Sequence, residues 1–402
     1  MIKGVKMIKI DIAKSYFDTL DGKLDLDACL MLSGKFAGVC YDLEGFNKLK
    51  EESEEKTKRR IVLTKDNGHH SVYDHIYMSL NITNIPKILA MILNNEKEYT
   101  TSEKSARYTK IEAGKDSIIS RREIELYEKW LKIFERKIKE IYKDTFSESK
   151  ITKLAQENAR YLVTVFMPTT MIYTTSLRQI NYIVSWFKKY IKKQASNDDF
   201  SHKLSKYMQE FIDELEKLNI LDEGLLKNEK NRSISLFGSN LKEKEEYFGD
   251  VYATVYEGSF AMLAQAQRHR TIDYKIEIND DDKYFIPPIL LDDDALKNEW
   301  LEDMKSIKDV YPCGKLITIF ERGTYENFIL KCKERLCSCA QLEIMNQTKN
   351  TLHKYSEALE KSNNPLKEDI KNYLKGARCT FKDFVCYSKC NFKDGINLKN
   401  KI

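Results

Sequence analysis

The stretch FAMLAQAQRHRTIDY, residues 260–274, decides how this chain is read. An apolar run from Phe260 to Ala264 leads straight into Arg268, His269 and Arg270. Read as helix, Gln265, Arg268 and His269 fall at i, i+3 and i+4 and share a face. An amide, a guanidinium and an imidazole on one face suit a base edge plus a phosphate. The plainer reading is a helix end whose cations complement the macrodipole. Three adjacent cationic side chains repel one another, so an anion is expected beside them.

Outward from this stretch the chain repeats its own pattern. YFGDVYATVYEGSFAMLAQAQ, residues 247–267, has the strand-then-helix form of VYDHIYMSLNITNIPKILAMI, residues 72–92. LITIFERGTYENFILKCKERL, residues 316–336, echoes TMIYTTSLRQINYIVSWFKKY, residues 170–190. Alternating β-branched and aromatic residues predict the strands. The 3.6-residue spacing after them predicts amphipathic helices, one with Pro86 in its first turn. MIKIDIAKSYFDTL near the start reads as a strand, and 121–147 and 151–166 read as helices. The polar stretch 193–206 marks a boundary near 200, and helix resumes over 202–217. An internal repeat of about half the chain follows, with domains at 1–200 and 201–402. Two unrelated α/β domains are the alternative.

The totals bound the function classes. The chain has 402 residues, 32% charged, with 67 basic and 62 acidic side chains and a net charge of +5. That small excess does not by itself predict nucleic-acid binding. No GxGxxG and no GxxxxGK[ST] occurs, so neither a Rossmann fingerprint nor a P-loop is available. Nine cysteines without an apolar leader point to a reducing, cytoplasmic setting, and no stretch approaches a membrane span.

Two further constellations stand out. In TTSEKSARYTK, residues 100–110, an extended chain puts Glu103, Ser105 and Arg107 on one side. Such a rail of carboxylate, hydroxyl and guanidinium can hold a sugar and its phosphate; a solvated loop is the plain alternative. NGHHSVYDH holds His69, His70 and His75 without the carboxylate pattern of a zinc site, so no metal is expected. Cys332, Cys337, Cys339, Cys379, Cys386 and Cys390 lack paired CxxC spacing and read as buried thiols. The cysteine of YPCGK, at 313, reads as core or loop.

Together these pieces resemble the flavin-dependent thymidylate synthases. That family carries RHRxxSxNExSxRY with a Gln three residues upstream, an earlier GHxSxxEH, an A-R ahead of N-x-R, and a closing RxxxHAQxE. The first half has GHHSVYDH, SEKSARY, the A-R ending at Arg160 and SLR ending at Arg178; the second has QAQRHR and RLCSCAQLEI. The signature is divided between them. The RHR position of the first half reads Asn95-Glu96-Lys97, while Glu103, Ser105, Arg107 and Tyr108 are present. The second half keeps Arg268-His269-Arg270 and Arg335, with Lys308 opposite Arg160 and Phe187 opposite Arg335.

The resemblance implies an α+β fold in two tandem copies, each a small antiparallel sheet packed by long helices. It implies one composite site per chain for dUMP, with FAD as cofactor and methylene-tetrahydrofolate and NADPH as co-substrates. Arg335 would stabilise the pyrimidine as N3 loses its proton; Gln265, Arg268, Glu103, Ser105, Arg107 and Arg160 would bind nucleotide. His69, Ser71, Arg268, His269, Arg270 and Glu103 would contact flavin. A homodimer would rebuild the family's tetramer, with no nucleic acid or membrane partner. The family's flavin-contacting Asn reads Ser176 and Thr324, its N-x-R arginine reads Glu326 in the second half, and its closing His reads Cys339. A different C5 alkylation such as hydroxymethylation, or a non-catalytic nucleotide-binding protein, also accommodates these departures.

Overall fold

The computed structural model describes residues 7–15, 17–43, 45–105, 111, 118–193, 198–227, 235–238, 246–387 and 390–402. Among these residues the fold is α+β, with two four-stranded antiparallel sheets. The first consists of β1 (Lys9–Ser15), β2 (Tyr77–Pro86), β3 (Thr100–Glu103) and β4 (Pro168–Ser176), in the order β1-β2-β4-β3. The second consists of β5 (Tyr247–Phe248), β6 (Val251–Ser259), β7 (Asp273–Glu277) and β8 (Leu316–Thr324), in the order β5-β6-β8-β7. The two orders are the same, so the halves share a topology as well as a pattern.

Helices α1 (Leu26–Gly38), α2 (Phe46–Leu49) and α3 (Glu54–Asp66) precede β2. α4 (Lys87–Leu93) joins β2 to β3, and α5 (Arg121–Ile141) and α6 (Glu148–Ala159) lie between β3 and β4. α7 (Leu177–Lys193), α8 (Asp199–Lys217) and α9 (Glu223–Leu226) follow β4. In the second half α10 (Phe260–Ala266) joins β6 to β7, and α11 (Asp294–Ser306) precedes β8. α12 (Tyr325–Arg335), α13 (Leu342–Glu360) and α14 (Leu366–Ile370) follow it.

The strand registers align the halves residue by residue. Tyr77 pairs with Ser176 and Leu80 with Tyr173; Val251 pairs with Thr324 and Thr254 with Glu321. Met78, Ile82 and Tyr173 therefore correspond to Tyr252, Tyr256 and Glu321. β3 and β7 keep the same phase, since Thr101 pairs with Tyr173 and Tyr274 with Glu321. Glu103 accordingly corresponds to Ile276. β2 carries an irregularity that β6 lacks. β2 slips register between Ile82 and Ile85, where Asn84 takes a left-handed φ of 57°. Asn tolerates that conformation better than other residues with a Cβ.

By compactness the chain divides differently from its sequence repeat: one unit is Met1–Lys104 with Pro168–Ser233, the other Ser105–Met167 with Ile234–Ile402. In the first unit, β2 buries Met78, Leu80 and Ile82 on one face. α7 buries Ile180, Ile183, Val184 and Phe187 and meets α8, with Phe187 and Phe211 rings 5.6 Å apart. In the second unit, Ser120 starts α5 through a capping box with Glu123. The buried face of α5 then sets Trp130 and Phe134 edge-on to Trp300, at 4.9 and 5.6 Å. Tyr252, Phe328 and Tyr355 centre the other cluster of that unit, where α12 and α13 pack together. Full burial of each such side chain stabilises by about 1.5–3 kcal/mol.

Several local expectations are corrected. The segment before β2 is a 3-10 turn, His70–His75, and the strand begins only at Tyr77. Pro86 ends β2 instead of opening a helical turn. α6 stops at Ala159, where Arg160–Leu162 tighten into a 3-10 turn. α8 starts at Asp199 because the Asp198 side chain accepts from Ser201 N–H and caps it.

Candidate functional site

The site residues of the second unit gather where α10 ends. Ser259 caps that helix, its hydroxyl accepting from Met262 N–H. The helix ends at Ala266, and a turn then leads through Arg268, His269 and Arg270 to β7. The expected shared helical face is therefore corrected. Gln265 and His269 are buried, whereas Arg268 and Arg270 are exposed. Arg335, at the last turn of α12, donates from Nε to His269 Nε2 at 2.7 Å and from Nη2 to the Gln265 carbonyl at 3.1 Å. Burial first, then the charges of Arg335 and Lys331, pull the His269 imidazole down to about 2. The expectation of three adjacent cations is thus also corrected: the middle one is a neutral, buried acceptor.

Lys331 lies one turn before Arg335 on α12, on the same face. Its ammonium donates to Glu321 Oε2 at 2.6 Å, and both side chains are completely shielded from solvent. Tyr252 donates to the other Glu321 oxygen at 2.7 Å, and Tyr256 adds a third bond at 2.5 Å. Burial and the Glu321 charge push both tyrosine hydroxyls well above their ordinary range. Reading the sequence missed this network. The signal was present in the repeat, where Lys331 and Glu321 stand opposite Ile183 and Tyr173.

A second missed element is Glu343 in α13, from the closing motif. It is buried, and it accepts from Ser259 N–H at 2.8 Å, Ser259 Oγ at 2.6 Å and Tyr161 OH at 2.9 Å. Gln341 caps the start of α13 and donates to Tyr161 OH. Burial raises the Glu343 carboxyl, and these bonds oppose the rise. Glu343 thus fastens the first residues of α10 to the turn that carries Arg160. Arg160 itself is 5% exposed, and its Nε and Nη2 have no hydrogen-bond partner among the described residues. The same holds for the buried Oε1 of Gln265.

In the first unit, Glu103 accepts from Lys87 at 2.5 Å and Asn94 at 3.1 Å, bridging the two ends of α4. Glu103 and Ser105 are half-buried while Ser102 and Lys104 are exposed, as an alternating rail requires. β3 itself ends at Glu103, and Arg107 and Tyr108 lie outside the described residues. His69 and Ser71 are exposed, and His75 is set edge-on to Phe36 at 4.9 Å. Asp74 accepts from Arg178 and from Ser176 Oγ, both at 2.8 Å. Ser176 and Thr324 begin α7 and α12, each accepting from the N–H three residues on. Asn, Ser and Thr all cap helices, so these departures keep the helix start and shorten the side chain's reach.

The cysteine expectation needs correction. Of the six, only Cys332 is buried; Cys337, Cys339 and Cys390 are half-buried and Cys379 and Cys386 exposed. Among the described residues after Tyr373 the helical elements are short 3-10 turns, and they bury Phe381 and Leu398 and leave Cys379 and Cys386 exposed. A hydrogen bond from Cys339 and the Arg378 guanidinium pull the Cys337 thiol well below its ordinary value. Among the described residues no three His, Cys, Asp or Glu side chains are grouped to hold a metal ion. Cys313 is buried, its N–H donating to the Val163 carbonyl at 2.7 Å. No described helix is long and apolar enough to cross a membrane.

Residues 31–189 match the family model described as thymidylate synthase complementing protein. No curated protein matches the chain. Among solved structures, a UMP/dUMP methylase from Streptomyces cacaoi bound with 5-Br dUMP is 15% identical over 45% of this chain and 78% of its own, with a TM-score of 0.30. A flavin-dependent thymidylate synthase from Helicobacter pylori complexed with FAD and dUMP is 13% identical over 53% of this chain and 97% of its own, with a TM-score of 0.31.

Proposed function

We propose, from the match of residues 31–189 to the thymidylate synthase complementing protein family, that this chain is a flavin-dependent thymidylate synthase-like enzyme. Its reaction is C5-methylation of dUMP, with methylene-tetrahydrofolate as carbon donor and FAD, reduced by NADPH, as hydride source. The observation that carries the reading is the junction of Gln265, His269 and Arg335, which joins the signature segment to the closing-motif arginine within one unit. A guanidinium held there can stabilise negative charge on a pyrimidine as N3 loses its proton, which raises the nucleophilicity of C5.

Arg160 supports the same reading. Nε and Nη2 form one edge of the guanidinium, the fork that takes two oxygens of a phosphate. A buried guanidinium edge is costly unless an anion completes it. The Oε1 of Gln265, without a partner among the described residues, is an acceptor suited to an N–H of the base. Arg268 and Arg270, exposed on either side of His269, fit the diphosphate of a dinucleotide cofactor. When bound, the flavin supplies the hydride; the side chains bind and orient. Glu103, Ser105 and Arg107 complete the nucleotide contacts in this reading, with His69 and Ser71 on the flavin. The domains are the tandem copies 1–200 and 201–402, and two chains form the assembly.

The test is tritium release from dUMP labelled at C5, with FAD, NADPH and methylene-tetrahydrofolate supplied. Release that depends on all four components supports the enzyme. Stabilisation by dUMP without release makes the chain a nucleotide-binding protein, and absence of both overturns the reading.

A further inference from the structure

The two units carry a natural comparison at one position of the fold. In the first unit, the site between β2, β4 and α7 is filled by Met78, Ile82, Tyr173 and Ile183, each at most 1% exposed. In the second, the corresponding residues are Tyr252, Tyr256, Glu321 and Lys331. None of these four first-unit side chains is ionised, and no ion pair spans the β4 and α7 positions that Glu321 and Lys331 take in the second. Replacing a buried ion pair by apolar residues of similar volume is often neutral or stabilising. Packing of the fold therefore does not account for Lys331 and Glu321.

Their surroundings do account for them. On β6, Tyr252 and Tyr256 point to one side of the sheet, and Glu321 of β8 sits between them, in register with Thr254. Glu321 accepts both hydroxyls and the Lys331 ammonium, so three bonds fix it. Lys331 also lies over the Tyr256 ring, 5.9 Å from its centre. One turn further along α12, Arg335 reaches His269. The groups bearing on His269 are thus two cations, Arg335 and Lys331, and a buried setting. At the matching positions of the first unit, Phe187 replaces Arg335 and Glu96 replaces His269. The ion pair, the imidazole and the arginine are present together in one unit and absent together from the other.

We propose that the buried Lys331–Glu321 pair is a positioning device for Arg335. It anchors the last turns of α12 to the β6–β8 ladder, so that the Arg335 Nε–H meets His269 Nε2 and the guanidinium is held in one direction. Lys331 touches no reacting group in this scheme; it acts through Arg335. The catalytic consequence rests on the function proposed above, whereas the structural consequence does not.

The experiment uses the full chain with the paired change Lys331→Met and Glu321→Gln, which removes both charges and strands neither. Slow exchange of the Arg335 Nε–H, assigned by its loss in Arg335→Lys, is read by NMR alongside the melting temperature. In a folded paired variant the exchange rises at least tenfold; Lys331→Arg with Glu321→Asp, which retains the ion pair, restores it. An unchanged Nε–H signal in a folded paired variant overturns the proposal. Should the paired variant fail to fold, Tyr256→Phe removes one bond to Glu321 and must raise the exchange at least threefold; no change overturns the proposal equally. With dUMP as substrate, kcat falls at least tenfold while KM stays within twofold. If wild-type protein does not turn over dUMP, the proposed reaction fails and the exchange measurement still decides the positioning role.

Discussion

Arg335 donates its Nε–H to His269 Nε2 at 2.7 Å, and that contact fixes the state of the imidazole. Arginine has no acceptor, so Nε2 must offer a lone pair and the ring proton belongs on Nδ1. Protonating His269 would turn the acceptor into a donor facing another donor, in a buried setting.

Acid should therefore weaken the fold through His269. Its value is about 2 when folded against 6.5 for an ordinary imidazole. Above the unfolded value neither state holds the proton and the contribution to stability is complete. As pH falls from 6.5 towards 2 the unfolded chain takes up a proton that the folded one refuses. The stability lost approaches about 1.4 kcal/mol per pH unit. Urea midpoints measured between pH 7 and pH 4 should show this slope, and His269→Gln should remove that part of it.

Arg160→Leu should separate binding from folding. The substitution removes a buried guanidinium edge that has no hydrogen-bond partner among the described residues, so the unliganded protein should gain about 1 kcal/mol or more. Affinity for dUMP should fall at least tenfold, from the roughly 1.5–3 kcal/mol of hydrogen bonding to a charged group. Calorimetric titration and thermal melts read the two effects independently. Unchanged affinity would count against a phosphate at this side chain.

Glu343→Leu should be severely destabilising. It leaves Ser259 N–H, Ser259 Oγ and Tyr161 OH without their shared acceptor in a buried place. The cost is about 3 kcal/mol or more. Denaturant unfolding should register it, and nucleotide binding should weaken as the start of α10 loosens.

Cys337 should be the fastest thiol to alkylate. Cys339 and Arg378 stabilise its thiolate, whereas burial pushes Cys332 up and Cys29 up to about 12. Brief iodoacetamide treatment near pH 6.5 followed by peptide mass analysis should find Cys337 modified first. The Arg378→Ala variant should slow it.

Much of the fold was legible because period-2 and period-3.6 patterns report which faces are buried. Val251–Ser259 and Leu316–Thr324 alternate clearly, and the strand–helix echo between halves survives as one shared sheet order. The site was legible in its residue types and less so in their direction. Gln265 and His269 do turn inward, but the helix that would have carried Arg268 alongside them ends at Ala266. No periodicity reports where a helix yields to a turn within two residues. Lys331 and Glu321 were hidden for another reason: a Lys and a Glu ten residues apart look like solvated charges until register brings strand and helix together. Nor does local pattern reveal that Ser105–Met167 groups with the second sheet, since that depends on contacts far apart in the chain.

The left-handed Asn84 on β2 has a consequence for anyone shuffling the halves. It is one surplus residue, so the count from strand to following helix differs by one between the twins. A graft of 251–266 in place of 77–93 stays in frame only if the recipient's insertion is dropped with it.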